Sequence, residues 1–412
     1  MLIFERLKNK DMKILHSADW HLGKKLEGYP RLPEQKDILE EICRIADEEK
    51  PDAVLISGDI YDTYNPPIEA VELFYKTVKC LSRNATVPIV VIAGNHDSPD
   101  RIEAVDPLAI ENGIFLLGFP DSQLRQTKLE SGLEIINSEQ GFVEFKLIST
   151  DERLRILFTP YANESRLKTA LSQDNPEEEL KQLLAKKWND LTGKYCDDNG
   201  VNLLISHNFF IKKGEKAIEN SDDEKPILYV GGAQALEVEL IPESIQYTAL
   251  GHLHRYHNVG SEKHPAVYSG SPLSYSFAEA GQDKYVAIVD IKPGSSAVIE
   301  RVKLESGKKL LRKKFDNIDD AVLWLNKNQN TLLELTIKMD EFLSATDRQR
   351  LYSAHDGIIS IIPEIKNINV SEEKIIDLEQ SMENLFEQYF YHKKGQKPDK
   401  RIKDLFKEII GK

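Results

Sequence analysis

The sequence predicts an α/β fold: a layered β-sandwich flanked by helices, then a small α+β domain and a pair of amphipathic helices. Three observations predict it. From Lys13 to Ala93, β-branched runs alternate with helical periodicity, the βαβαβ pattern of a parallel layered sheet. From Leu133 the pattern changes to short alternating strands with turns such as Ser131-Gly132 and Gln140-Gly141, a second and more antiparallel layer. Several strands also end alike, in a small residue followed by aspartate, asparagine or histidine, and ligands gather at such strand ends.

With 412 residues the chain exceeds a single compact core and divides into domains. No apolar run approaches the roughly 18 residues of a spanning helix, so no membrane association is expected. A formal net charge of -14 argues against clamping nucleic acid by overall attraction, leaving local basic patches, metals or a partner. Cys43, Cys80 and Cys196 are far apart and lack C-x-x-C spacing, which suggests neither a disulfide framework nor a zinc knuckle and fits a reducing cytoplasm. Residues 1–11 offer only the apolar trio Leu2-Ile3-Phe4 among charges, too little for a signal peptide; they are expected to be a disordered extension.

Taken in order, Lys13 to Ser17 is the first strand, ending at Asp19-Trp20-His21, and Leu32 to Glu49 follows with helical spacing. Ala53 to Ser57 is a strand ending in Gly58-Asp59, and Ala70 to Leu81 is a helix. The run Val87 to Ala93, bounded by Pro88 and Gly94, reads as a strand buried on both faces that delivers Asn95, His96 and Asp97. In the second layer, strands are expected at Leu133 to Asn137, Phe142 to Leu147 and Leu154 to Phe158, and a charged helical stretch from Asn163 to Asn189. Asn202 to Ser206 then delivers His207, and Ile245 to Leu250 delivers His252 and His254.

The expected domains are 12–283, 284–368 and 369–412. The second holds strands at Tyr285, Val298, Leu332 and Gly357 with helices at Phe315 and Ser344. Its basic cluster Lys308, Lys309, Arg312, Lys313 and Lys314 reads either as an edge strand kept soluble by lysines or as a phosphate-contacting patch. In the third, Ile375, Leu378, Met382, Leu385, Phe386 and Tyr389 form one helical stripe and Ile402, Leu405, Phe406, Ile409 and Ile410 a second, across Gly395 and Pro398. These stripes pack on their own core, on each other or, the favoured reading, on a partner.

Asp19, His21, Asp59, Asn95, His207, His252 and His254 supply seven oxygen and nitrogen donors without a thiolate. That set suits two octahedral or five-coordinate ions of the manganese, iron or zinc sort, with Asp59 on the central strand as the bridging carboxylate. Paired cations activate a water and hold both oxygens of a phosphate ester, which points to phosphoester hydrolysis. His96 follows a ligand directly and is free to act as general acid toward the leaving oxygen. Asp97 either orients that imidazole or caps the turn.

The series Asp-x-His, Gly-Asp-x-x-Asp, Gly-Asn-His-Asp, a lone His and Gly-His-x-His resembles the calcineurin-like metallophosphoesterase signature. From Met12 to Lys412 the chain resembles the SbcD branch of that superfamily, the Mre-type repair nucleases, through Lys13 to Gly23, Ala93 to Ser98 and Tyr268 to Phe277. The resemblance implies one manganese on Asp19, His21, Asp59 and His254, another on Asp59, Asn95, His207 and His252, and His96 as catalytic histidine. It implies a capping domain from Lys284 that selects DNA ends, and terminal helices that grip the coiled coil of an SbcC-type, SMC-like ATPase in a heterotetramer containing a homodimer of this chain. It further implies ATP-dependent 3′ to 5′ exonuclease activity on duplex ends and endonuclease activity on hairpins and single strands, with ATP used only by the partner.

Duplex DNA is expected to meet local lysines such as Lys24, Lys25, Lys212 and Lys213. Asp62 departs from archaeal relatives, which carry histidine there. A small-molecule phosphodiesterase with the same metals, and a catalytically silent scaffold for an ATPase, are the competing readings.

Overall fold

The computed structural model describes residues 11–150, 152–167, 175–214, 235–339, 343–365 and 382–394, with 398, 400, 402, 403 and 406. Residues 1–10, Ile375, Leu378, Leu405 and Ile409 lie outside them. Two compact units are present, 1–337 with 343–363 and 338–342 with 364–412.

The first unit opens with β1 (Met12–Ser17), α1 (Leu32–Glu49), β2 (Ala53–Ile56), α2 (Ile68–Leu81), β3 (Ile89–Ile92) and β4 (Ile114–Leu117). It continues with β5 (Glu134–Glu139), β6 (Phe142–Lys146), β7 (Arg153–Thr159), α3 (Pro176–Tyr195), β8 (Val201–Ser206), β9 (Tyr247–Leu250) and β10 (Ala266–Tyr268). Next come β11 (Lys284–Ile291) and β12 (Val298–Leu304). A six-stranded sheet has the order β12-β11-β1-β2-β3-β4, and an eight-stranded sheet runs from the short strand His257–Asn258 through β10-β9-β8-β7-β6-β5 to Thr127–Lys128.

The two sheets pack face to face with helices outside, as the burial of β3 makes plain. Ile89 and Val91 join the cluster of Ile38, Ile42, Phe74 and Val78 from α1 and α2. Val90 and Ile92 join the cluster between the sheets, with Phe145, Ile156, Phe158, Leu203 and Ile205. Both faces are covered, so the run carries no polar alternation. On the far side, Leu157 and Leu204 meet Leu180, Leu184, Trp188 and Leu191 of α3.

Four expectations are corrected. The second sheet is mixed: β7-β8, β8-β9 and β9-β10 are parallel, and only β5-β6, β6-β7 and the outermost strands pair antiparallel. The helix expected from Asn163 begins at Pro176, because Asn175 accepts from Glu178 N as a cap and Pro176 suits the first turn; among the described residues before it, Glu164–Leu167 is helical. β4 was not among the expected strands, since its four apolar residues have no alternation to mark them. Finally, the first sheet does not stop at 283: β11 pairs antiparallel with β1, Met12 opposite Ile291, and β12 with β11.

The separate small sheet begins later, with β13 (Lys309–Phe315), α4 (Ile318–Lys327), β14 (Thr331–Met339), α5 (Ala345–Ala354) and β15 (Ile358–Ile365) in the order β13-β14-β15. Asn317 caps α4 by accepting from Asp320 N at 2.9 Å, and Ser344 caps α5 by accepting from Asp347 N at 3.1 Å. The basic cluster falls mostly on edge strand β13, where Arg312 pairs with Glu334 at 2.7 Å and Lys313 lies over the Trp324 ring, the arrangement of a protected edge.

In the second unit α6 (Met382–Lys394) brings the Phe386 ring onto Phe406 at 3.9 Å and 7°. Glu387 meets Lys403 at 2.5 Å, and residue Ile402 is helical. The two stripes therefore pack partly on each other. Leu385 is half-buried and Tyr389 is exposed.

Candidate metal centre

Every candidate ligand sits just past the C-terminal end of a strand in the two facing sheets. Asp19 N donates to Gly58 O at 3.0 Å and His21 N to Asp59 O at 2.9 Å, which fastens the turn after β1 to the turn after β2. His96 N donates to Asp59 Oδ1 at 2.9 Å, tying in the turn after β3. From the other sheet, His252 N donates to Asp19 Oδ1 at 2.8 Å and the His207 Nδ1–H to Ser57 O at 2.6 Å. Asp19, His21, Asp59 and His252 all hold positive φ (53°, 43°, 50° and 94°), a strained conformation for non-glycine residues that persists where surrounding bonds enforce it.

The strand ends can converge because their closest crossings lack a side chain. A Cβ on Gly94 would stand 2.1 Å from Asp59 Oδ1, and one on Gly251 1.9 Å from Ser57 O. Gly251→Ala is therefore expected to push the Ser57 carbonyl off His207 and to cost about 3 kcal/mol or more, measured by denaturant unfolding.

The expected donors converge. Asp59 Oδ2 lies 3.3 Å from His207 Nε2 and 3.5 Å from His21 Nε2. Asn95 Oδ1 lies 3.1 Å from His207 Nε2 and 3.0 Å from His252 Nδ1. His254 Nε2 is 3.0 Å from His21 Nε2. Among the described residues, two groups have ligand atoms close enough for one ion: His21, Asp59 and His96, and Asp19, Asp59 and His207. Asp59 belongs to both.

The electrostatics suit a pair of cations. Burial pushes Asp19 up to about 7, and its buried Oδ2 has no hydrogen-bond partner. Burial would also raise Asp59, but His207 and His21 hold it well below the usual carboxylate range. Burial would lower His207, yet Asp59 and Asp19 raise it to about 9. Burial keeps His21 far below its ordinary value and pushes His252 down to about 3, leaving both neutral with lone pairs to offer. Two buried carboxylates, an orphaned oxygen and neutral imidazoles are the donor set of a pair of divalent cations.

His96 stands at the edge of this cluster. Its Nδ1–H donates to Asp62 O at 2.9 Å, and its ring meets His21 edge-on at 4.8 Å, leaving Nε2 for a substrate. Asp97 does not orient that imidazole. Its carboxylate accepts from Gly94 N, Ile60 N and Tyr61 N at 2.8, 3.1 and 2.9 Å, so it fixes the two turns that carry Asp59 and Asn95. Burial keeps its pKa raised to about 6.

Of the expected DNA contacts, Lys24 Nζ is tied to Asp62 at 2.9 Å, so neither is a free surface charge. Lys25, Lys212 and Lys213 are exposed. Several supporting residues carry no sequence signal of their own. Arg166 donates to Gly94 O and Asp97 O at 2.7 and 2.8 Å, and Gln35 Nε2 donates to His21 O at 2.8 Å. Glu279 and Lys284 lie behind His254. Only the last pair had a hint nearby, the Tyr268 to Phe277 stretch that ends just before it.

Comparisons with known proteins show the family. The calcineurin-like phosphoesterase family profile matches residues 12–256. The chain is 39% identical over 407 residues to a protein of Bacillus subtilis (strain 168) named as the SbcD component of the nuclease SbcCD, covering 97% of each. A protein of the same name from Staphylococcus epidermidis is 31% identical over 286 residues, 68% of this chain and 66% of that one. A dimetal phosphatase from Danio rerio is a looser structural likeness, with a TM-score of 0.40 and 13% identity over 72% of this chain and 97% of that one.

Proposed function

The chain belongs to the calcineurin-like phosphoesterase family, and we propose that it is the nuclease subunit of an SbcCD-type complex, hydrolysing DNA phosphodiester bonds at a two-ion centre. The observation that carries this reading is Asp59, one buried carboxylate shared by two ligand groups. Bound there, a pair of divalent cations supplies Lewis acidity toward the phosphodiester and the attacking water. Asp59, Asn95, His207 and His252 would hold one side, and Asp19, His21, Asp59 and His254 the other. His96, with Nδ1–H engaged by the Asp62 carbonyl, presents Nε2 to the leaving oxygen and donates its proton there. Arg166 and Asp97 keep the two turns in register for that transfer.

Manganese is the proposed ion, and ATP enters only through an SbcC-type, SMC-like ATPase. The substrates are duplex ends, processed 3′ to 5′, and hairpins and single strands, cut internally, in DNA repair, recombination and replication. The sheet β13-β14-β15 with α4 and α5 is the capping domain that meets a DNA end, and Lys25, Lys212 and Lys213 are local phosphate contacts. Two copies of the chain join two ATPase subunits in the cytoplasm; among the described residues no helix is long and apolar enough to cross a membrane, and all three cysteines are free.

Manganese-dependent cleavage of labelled hairpin DNA, abolished by a chelator, is the expected result. Hydrolysis of nitrophenyl esters alone would favour a small-molecule phosphodiesterase, and no hydrolysis with any metal a silent scaffold. The exposed Tyr389 on α6 leaves a surface for the ATPase coiled coil. Deleting 371–412 is expected to abolish co-purification with the ATPase while metal binding persists.

A further inference from the structure

The two sides of the centre are backed by different chemistry. Behind His207 stands a neutral group, the Ser57 carbonyl, 2.6 Å from Nδ1. Behind His254 stands a carboxylate: Glu279 Oε1, 3.4 Å from Nδ1, in a side chain only 1% exposed. That carboxylate is fixed from every direction. Tyr275 N donates to Oε1 at 3.0 Å, and Lys284 Nζ meets Oε2 while also donating to His254 O at 2.9 Å and Ser271 Oγ at 3.0 Å.

The same segment reaches the other imidazole on that side. The Tyr275 hydroxyl donates to Trp20 O and accepts from Gln35 Nε2 at 3.1 Å, and Gln35 Nε2 also holds His21 O. His21 and His254, whose Nε2 atoms stand 3.0 Å apart, are thus set by one cradle spanning residues 271–284.

We propose that Glu279, locked by Lys284, is a positioning residue that strengthens His254 as a ligand, so that the His21/His254 side binds its divalent cation more tightly than the Asn95/His207/His252 side. The inference rests on the two-ion reading above. A carboxylate accepting from the far nitrogen of an imidazole makes the near nitrogen a better donor and fixes its ring, which a neutral carbonyl does less well. Removing such a partner costs about 10- to 100-fold in metal affinity.

The test is a manganese titration of the full-length, chelator-stripped protein, followed by calorimetry and by electron paramagnetic resonance of free manganese. Wild type is expected to show two classes of site. Glu279→Gln keeps an acceptor for His254, removes the charge and turns an amide donor toward Lys284; it should weaken the tighter class by about 10- to 100-fold and leave the weaker one unchanged. Because a single change leaves Lys284 buried without a counter-charge, the double variant Glu279→Gln/Lys284→Met is measured beside it, with the unfolding midpoint of each metal-free protein as the control for folding. An unchanged tighter class in a folded variant, or equal weakening of both classes, overturns this inference and spares the dimetal reading. Failure of the wild type to take up manganese overturns both.

Discussion

Asp59→Asn is expected to lower kcat for manganese-dependent DNA cleavage by on the order of 10³-fold or more, the several kcal/mol that a correctly held ion pair contributes to the barrier. The fold should survive it. Asparagine has the shape of aspartate, tolerates the φ of 50° found here better than most residues, and retains an oxygen to accept from His96 N. What it cannot do is hold a negative charge between two cations. Its amide would turn donors toward Oδ2's present neighbours, His207 Nε2 at 3.3 Å and His21 Nε2 at 3.5 Å. The His207 pKa, held at about 9 by that carboxylate against burial, should fall as well. Calorimetry should show manganese affinity reduced on both sides, because Asp59 alone belongs to both ligand groups. A variant that takes up both ions as tightly as wild type would show that no carboxylate bridges them.

Asp59, with Asp19, His21, Asn95, His207, His252 and His254, was legible as a strand-end residue because each lies at or just past the end of an apolar run, and a strand that ends abruptly in polar groups has to place them at a sheet edge. The bond that fixes Asp19 was not legible: His252 N donates to its Oδ1 across 233 positions, which no local pattern encodes. Arg166 fails for the same reason: its guanidinium reaches Gly94 O across 72 residues. The parallel order of β7 to β10 was hidden because a strand buried on both faces looks the same in either direction. For β11, strand-end histidines cease from about Lys284, which suggested a new domain, yet the strand returns to cover the edge of β1, which would otherwise stay unpaired.

His96→Ala separates proton donation from ion binding. If His96 is the general acid, kcat on DNA should fall by about 10²- to 10⁴-fold, because a sugar alkoxide is a poor leaving group that needs its proton in the transition state. A bis(p-nitrophenyl) phosphate substrate leaves as a stable phenolate, so its rate should fall by less than about tenfold in the same protein. Manganese uptake should be unchanged. The geometry also holds a rival, for His96 lies with His21 and Asp59 in one group of potential ligands. As a ligand, its loss would weaken one ion and slow both substrates alike. The half-exposed ring, turned by the Asp62 carbonyl so that Nδ1–H is occupied and Nε2 is free, favours the acid. Equal losses on the two substrates, together with a weakened ion, would assign His96 to coordination instead.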